Sequence, residues 1–105
     1  MSYNLGLYPL FTAKTADGQS ASVQWPGGRG VYGSLGTFGG GTSKLQYSVD
    51  GGTTWFDVDR SGDTFVTHTA QASGGFELPP CLIRSNLSGS TAPSLTTFAS
   101  AVPLK

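Results

Sequence analysis

Charge is what this chain has least of. Asp, Glu, Lys and Arg make up 11% of its 105 residues, against roughly a quarter in ordinary soluble domains. The six basic and six acidic side chains cancel and are scattered. No basic patch can neutralise a run of phosphates, so nucleic acid is not an expected partner. Cysteine is nearly missing too. Cys81 stands alone, which excludes an intrachain disulfide and points to assembly in a reducing cytosol. No apolar run approaches the ~20 residues a membrane helix needs, so no membrane partner is expected. The start, Met1 to Tyr8, has neither a basic n-region nor a long apolar stretch, and no signal peptide is expected. Helical signals are also lacking: no segment of twelve residues is free of both Gly and Pro.

What the chain does have is glycine, serine and threonine, together 41 residues. Disorder is not the reading, because Leu, Ile, Val and Phe supply 23 residues and net charge is near zero. Two Trp, four Tyr and six Phe argue for a packed core. The length fits one domain. Short β-branched and aromatic runs alternate with turn clusters, which predicts an all-β, single-domain β-sandwich of eight or nine short strands, jelly-roll or immunoglobulin-like.

Expected strands cover 7–13, 20–25, 31–35, 43–49, 54–58, 64–70, 76–78, 82–87 and 94–102. The clearest is 43–49, where Leu45, Tyr47 and Val49 alternate with Lys44, Gln46 and Ser48. Turns are expected at Ala16-Asp17-Gly18, Pro26 to Gly30, Gly39 to Gly41, Asp50 to Gly52, Arg60 to Asp63 and Ser73 to Gly75. Residues 1–10 carry Tyr3, Leu5, Leu7, Tyr8 and Leu10 with little beside them to bury them. They form either an edge strand or an arm that docks on a neighbour, with the sandwich proper over 11–105.

The most specific local motif is Ser48-Val49-Asp50-Gly51-Gly52-Thr53-Thr54-Trp55. It resembles the Asp-box of sialidases and other β-propellers, a hairpin turn remote from their catalytic centres. An Asp in that position accepts backbone N–H groups, the glycines allow positive φ, and the Trp packs over the turn. A propeller repeats such turns once per blade, and this chain has one copy. Ser48, Asp50, Gly52, Thr54 and Trp55 are therefore read as a structural hairpin.

Other candidates for chemistry are weak. Asp57, Asp59 and Asp63 are close in sequence, but Val58 and Arg60 interrupt them and no glutamate closes a calcium loop; no metal and no cofactor are expected. His68 is the single histidine and is expected on a strand surface or interface. Cys81 has no neighbouring His or Cys and reads as a small, semi-buried side chain. The glycine-rich stretches lack the Gly-Lys-Ser/Thr ending of a phosphate loop. Arg29, beside Trp25 and Tyr32, reads as an exposed contact on a loop. No catalytic residues are assigned, and the chain is expected not to be an enzyme.

Taken in order, Trp25-Pro26-Gly27-Gly28, Gly36-Thr37-Phe38-Gly39-Gly40, Leu45 to Gly52, Phe76-Glu77-Leu78-Pro79-Pro80, Ile83 to Gly89 and a Ser/Thr-rich last strand resemble small structural proteins of tailed bacteriophages, of the capsid decoration or cement type. The resemblance covers about residues 12–102. It implies a capsid-surface protein of the virion, assembled in the host bacterial cytoplasm, clustering as a homotrimer and binding across subunits of the major capsid protein. Candidate partner-contacting residues are Tyr3, Leu5, Leu7, Tyr8, Trp25, Arg29 and Tyr32. A tail, neck or head-fibre component, or a small carbohydrate-binding module using Trp25 or Trp55, are the alternatives.

Overall fold

The computed structural model describes residues 7–59 and 64–101; Tyr3, Leu5, Val102 and the Arg60 to Asp63 turn lie outside them. The described residues form ten strands: β1 Leu7–Pro9, β2 Gly18–Gln19, β3 Val23–Trp25, β4 Gly28–Thr37, β5 Thr42–Ser48, β6 Phe56–Asp57, β7 Thr67–His68, β8 Ala72–Leu78, β9 Cys81–Ser88 and β10 Ser94–Ala101. They build a β-sandwich of two antiparallel sheets. The first has the order β1-β10-β4-β8; the second has β2-β9-β5-β6, with β3 also on β9 and β7 also on β5.

This pairing decides between the two expected sandwich types. β1 pairs β10, β2 and β3 pair β9, β4 pairs β8, and β5 pairs β6 and β7. These are nested like one long hairpin ribbon. Rolling the ribbon brings β10 onto β4 and β9 onto β5. The steps β4 to β5, β8 to β9 and β9 to β10 therefore each cross from one sheet to the other. That is jelly-roll topology; an immunoglobulin-like domain keeps consecutive hairpin strands within one sheet.

Alternation along each strand sorts the side chains. Ile83, Ser85 and Leu87 of β9 are buried, as are Leu95, Thr97 and Ala99 of β10 and Ser43 and Leu45 of β5. Trp25, Tyr32, Leu45, Val66, Phe76, Leu78, Ile83 and Ala99 form the main core, and Phe11, Phe38, Leu87 and Leu95 a second cluster. Each fully buried Leu or Ile contributes about 1.5–3 kcal/mol.

Polar groups cross this core as well. The Tyr32 hydroxyl sits 2.6 Å from Ser43 Oγ and close to Ser85 Oγ. Ser34 Oγ is 3.0 Å from Ser43 Oγ and 2.8 Å from His68 Nδ1, and His68 Nε2 is 2.9 Å from the Phe65 carbonyl. A carbonyl only accepts, so His68 Nε2 donates to Phe65, and in the tautomer with its proton on Nε2 the Nδ1 accepts from Ser34. Each hydroxyl has one proton to give. The chain then runs in one direction, Ser85 to Tyr32 to Ser43 to Ser34 to His68 to Phe65, stitching the sheets together. Among the described residues no buried side-chain polar atom lacks a partner.

The strand limits correct the sequence reading at its glycines. The expected Pro26 to Gly30 and Ser73 to Gly75 turns are largely strand, in β4 and β8. Gly27 and Gly28 do turn, with φ of 97° and 98°, but at Gly30, Gly33 and Gly74 the physical reason is close approach. A Cβ at Gly30 would lie 2.5 Å from the Trp25 ring, and one at Gly33 would fall on the ring of Phe98. The strand expected over 20–25 shortens to β3, and β2, which begins on the expected Ala16-Asp17-Gly18 turn, adds a second short piece on β9 and raises the count to ten.

Candidate functional site

The Asp-box-like hairpin closes the end of β5. Ser48 Oγ donates to Asp50 Oδ1 at 2.7 Å and accepts the Gly52 N–H at 2.9 Å. Asp50 Oδ1 also accepts the N–H groups of Thr54 at 2.9 Å and Thr53 at 3.2 Å. Gly51 and Gly52 take φ of 81° and 100°, which side chains with a Cβ resist. Trp55 Nε1 donates to the Gly52 carbonyl at 2.9 Å. The Thr54 N–H first, and the Ser48 hydroxyl next, hold the Asp50 carboxyl down at about 2. Every polar atom of Asp50 that these contacts engage serves the turn, so the motif acts as a clamp.

Beside this clamp lies an open cleft of about 780 Å³, lined among others by Tyr8, Gln24, Trp25, Pro26, Val49 and Cys81. Val49 is 62% exposed. Burial pushes the Cys81 thiol up, away from the thiolate form that reacts, and among the described residues no basic side chain lines the cleft. Among the described residues no three His, Cys, Asp or Glu side chains converge on a point where a metal could sit.

The two outer faces of the sandwich differ. On the β1-β10-β4-β8 sheet the outward side chains include Val31, Leu35, Ser73, Thr96, Phe98 and Ser100, with Arg29 and Glu77 register-paired near one end. On the other sheet Arg84 lies 4.2 Å over the Trp55 ring and donates from Nε to Gln46 Oε1 at 2.9 Å. Gln46 Nε2 donates to Asp57 Oδ1 at 2.9 Å, and Lys44 Nζ lies 3.3 Å from Asp57 Oδ2. Gln19 donates to Asn86 at 2.7 Å farther along the same face.

Three expected contact residues are corrected. Trp25 is 1% exposed and Tyr32 is fully buried; Trp25 packs on Tyr8 and Phe76, and Tyr32 anchors the hydroxyl chain, so neither offers a surface. Arg29 is exposed as expected but stands within β4, opposite Glu77, not on a loop. Leu7 enters β1 opposite Ser100, and Tyr8, half-buried, lines the cleft. His68, expected at a surface, is 4% exposed because Ser34 and the Phe65 carbonyl satisfy both its nitrogens inside. Arg84 and Gln46 went unmarked in the sequence; an alternating strand shows that they point outward but not that they meet. Compared with known proteins, the chain matches no family model, no curated protein and no solved structure.

Proposed function

We propose that this domain is a non-enzymatic structural protein of a bacteriophage virion, seated on the capsid surface and cementing neighbouring subunits of the major capsid protein. The observation that carries the reading is the outer face of the β1-β10-β4-β8 sheet. Among the described residues it presents Val31, Leu35 and Phe98 beside Gly, Ser and Thr, with the charged Arg29 and Glu77 near one end. Interface cores are depleted in charged groups, because each would have to shed its hydration. Leu35, 41% exposed, gains from being covered. A jelly-roll frame supplies the stiffness, since its strands are tied at both ends of the ribbon.

The test is electron microscopy of particles that carry the protein, paired with Leu35→Asp. Density on the capsid surface, and loss of the exposed-leucine variant from the particles at unchanged fold, is the expected result. Density at the tail tip or neck, or no particle association, would sink the capsid assignment. One observation favours a second reading as a carbohydrate-binding module: Trp55, Arg84, Gln46 and Asp57 form an ordered polar strip beside an aromatic ring on the opposite sheet. A glycan array that scores for the wild-type chain and loses its signals with Trp55→Ala would move the function there.

A further inference from the structure

An open sheet edge is a row of unpaired N–H and C=O groups, and stable folds blunt it with short strands, proline, lysine or a covering segment. Three of the four edges here are blunted. β1 is three residues long and contains Pro9. β2 and β3 are pieces of two and three residues separated by residues 20–22. β6 and β7 are two residues each. The fourth edge, β8, is different. It runs seven residues, Ala72–Leu78, in unbroken register with β4, and holds neither proline nor lysine. Among the described residues, no backbone group beyond β4 bonds to it.

A second observation falls on the same strand. A Cβ at Gly74 would collide with the Phe65 backbone, so the fold itself requires that glycine. Gly75 is not required. Its φ lies outside the left-handed region, and a Cβ there would meet only the Gly30 carbonyl oxygen, at an ordinary 3.8 Å. A strand glycine that its own chain does not need marks a place where another backbone comes close. Phe65, 64% exposed, stands beside this edge, its carbonyl against Gly74.

We propose that β8 pairs antiparallel with β8 of a second copy, across a two-fold axis at Gly75, joining two four-stranded sheets into one of eight. The sequence of β8 is complementary to itself in this register. Gly75 faces Gly75, and Glu77 faces Ser73, so the strand's one charge never meets its like. On the inner side Ala72 lies across from Leu78, and Phe76 lies across from Gly74, whose inward space the Phe65 backbone already fills. An isologous contact of this kind closes at two copies, so it stands apart from the trimer implied by the phage resemblance and does not rest on the capsid reading.

Sedimentation equilibrium of the full chain tests it, together with two variants. The wild type should form a reversible dimer. Gly75→Lys places two ammonium groups opposite each other and should weaken that dimer about fivefold or more, while circular dichroism and Tm of the monomer stay unchanged because the site has room. Gly75→Cys in a Cys81→Ser background should cross-link into a covalent dimer with oxidised glutathione, since facing residues of an antiparallel pair lie within disulfide reach. A chain that is monomeric at all concentrations, a three-copy mass, or a dimer that Gly75→Lys leaves intact and Gly75→Cys fails to cross-link would overturn the proposal.

Discussion

The outer faces of the two sheets share one core yet meet water with different chemistry. On β4 and β10 the outward positions include Val31, Leu35, Thr96 and Phe98, with Arg29 near one end, and the Phe98 ring fills the space a Cβ at Gly33 would take. On β5 and β9 they are Lys44, Gln46, Arg84 and Asn86, bonded to one another and to Asp57 and Gln19. The first face sheds little hydration when covered, whereas the second would have to give up ion and amide hydration at every step. The difference supports the proposal that a partner protein covers the first face and leaves the second to solvent. With so few charges to place, the chain has put most of those on its sheets onto one face.

The sharpest way to break this contrast is Gly33→Leu. A side chain there displaces the Phe98 ring from β4, and overpacking of that kind costs about 1–3 kcal/mol. Thermal denaturation should show the loss; an unaltered Tm would mean that the ring does not smooth the face.

Acid comes next, and it should act on the hairpin, the polar face and the contact between Asp17 and Ser90. Hydrogen bonds hold Asp50 at about 2 and keep Asp57, through Gln46 above all, and Asp17, through Ser90, below their ordinary values. A carboxylate depressed by folding lends stability that is complete above its unfolded value, ~3.9. That stability is lost as pH falls through the folded value. Tm should therefore decline between about pH 4.5 and pH 2. Asp50→Asn should flatten that decline, and Gly33→Leu should leave its slope as it was. An Asp50→Asn chain with the wild-type acid profile would remove Asp50 from the account.

The smallest effect belongs to Arg84→Ala, which strips the guanidinium from the Trp55 ring and leaves Gln46 without its donor. An exposed contact of this type is worth about 0.5–1 kcal/mol, readable in urea denaturation. A larger loss would show that the polar face carries weight comparable to the apolar one.

Much of the architecture was legible before any coordinates. Leu45 and Tyr47 mark their strand by alternation, and Asp50-Gly51-Gly52 marks its turn by the φ values that only glycine takes freely. The same glycine signal misleads at Gly30, Gly74 and Gly75. A missing Cβ reads alike in sequence whether it frees the backbone to turn or makes room for a ring, a carbonyl or another strand. Trp25 and Tyr32 flank Arg29 in the chain and so look like one patch, but alternation and the Trp25 side of β3 turn both inward. Ser34, Ser43 and Ser85 look like surface residues. Their burial depends on Tyr32 and His68 arriving from distant strands, and no local pattern records that.

The nested pairing also bears on how the molecule is made. Leu7 finds its partner only at Ser100, so the ribbon's outermost turn stays open until almost the whole domain has emerged from the ribosome. Contacts so distant along the chain form slowly. Nascent copies must therefore pass through a period with β10's place beside β4 empty, and a chaperone that shields that gap would raise the yield of native protein.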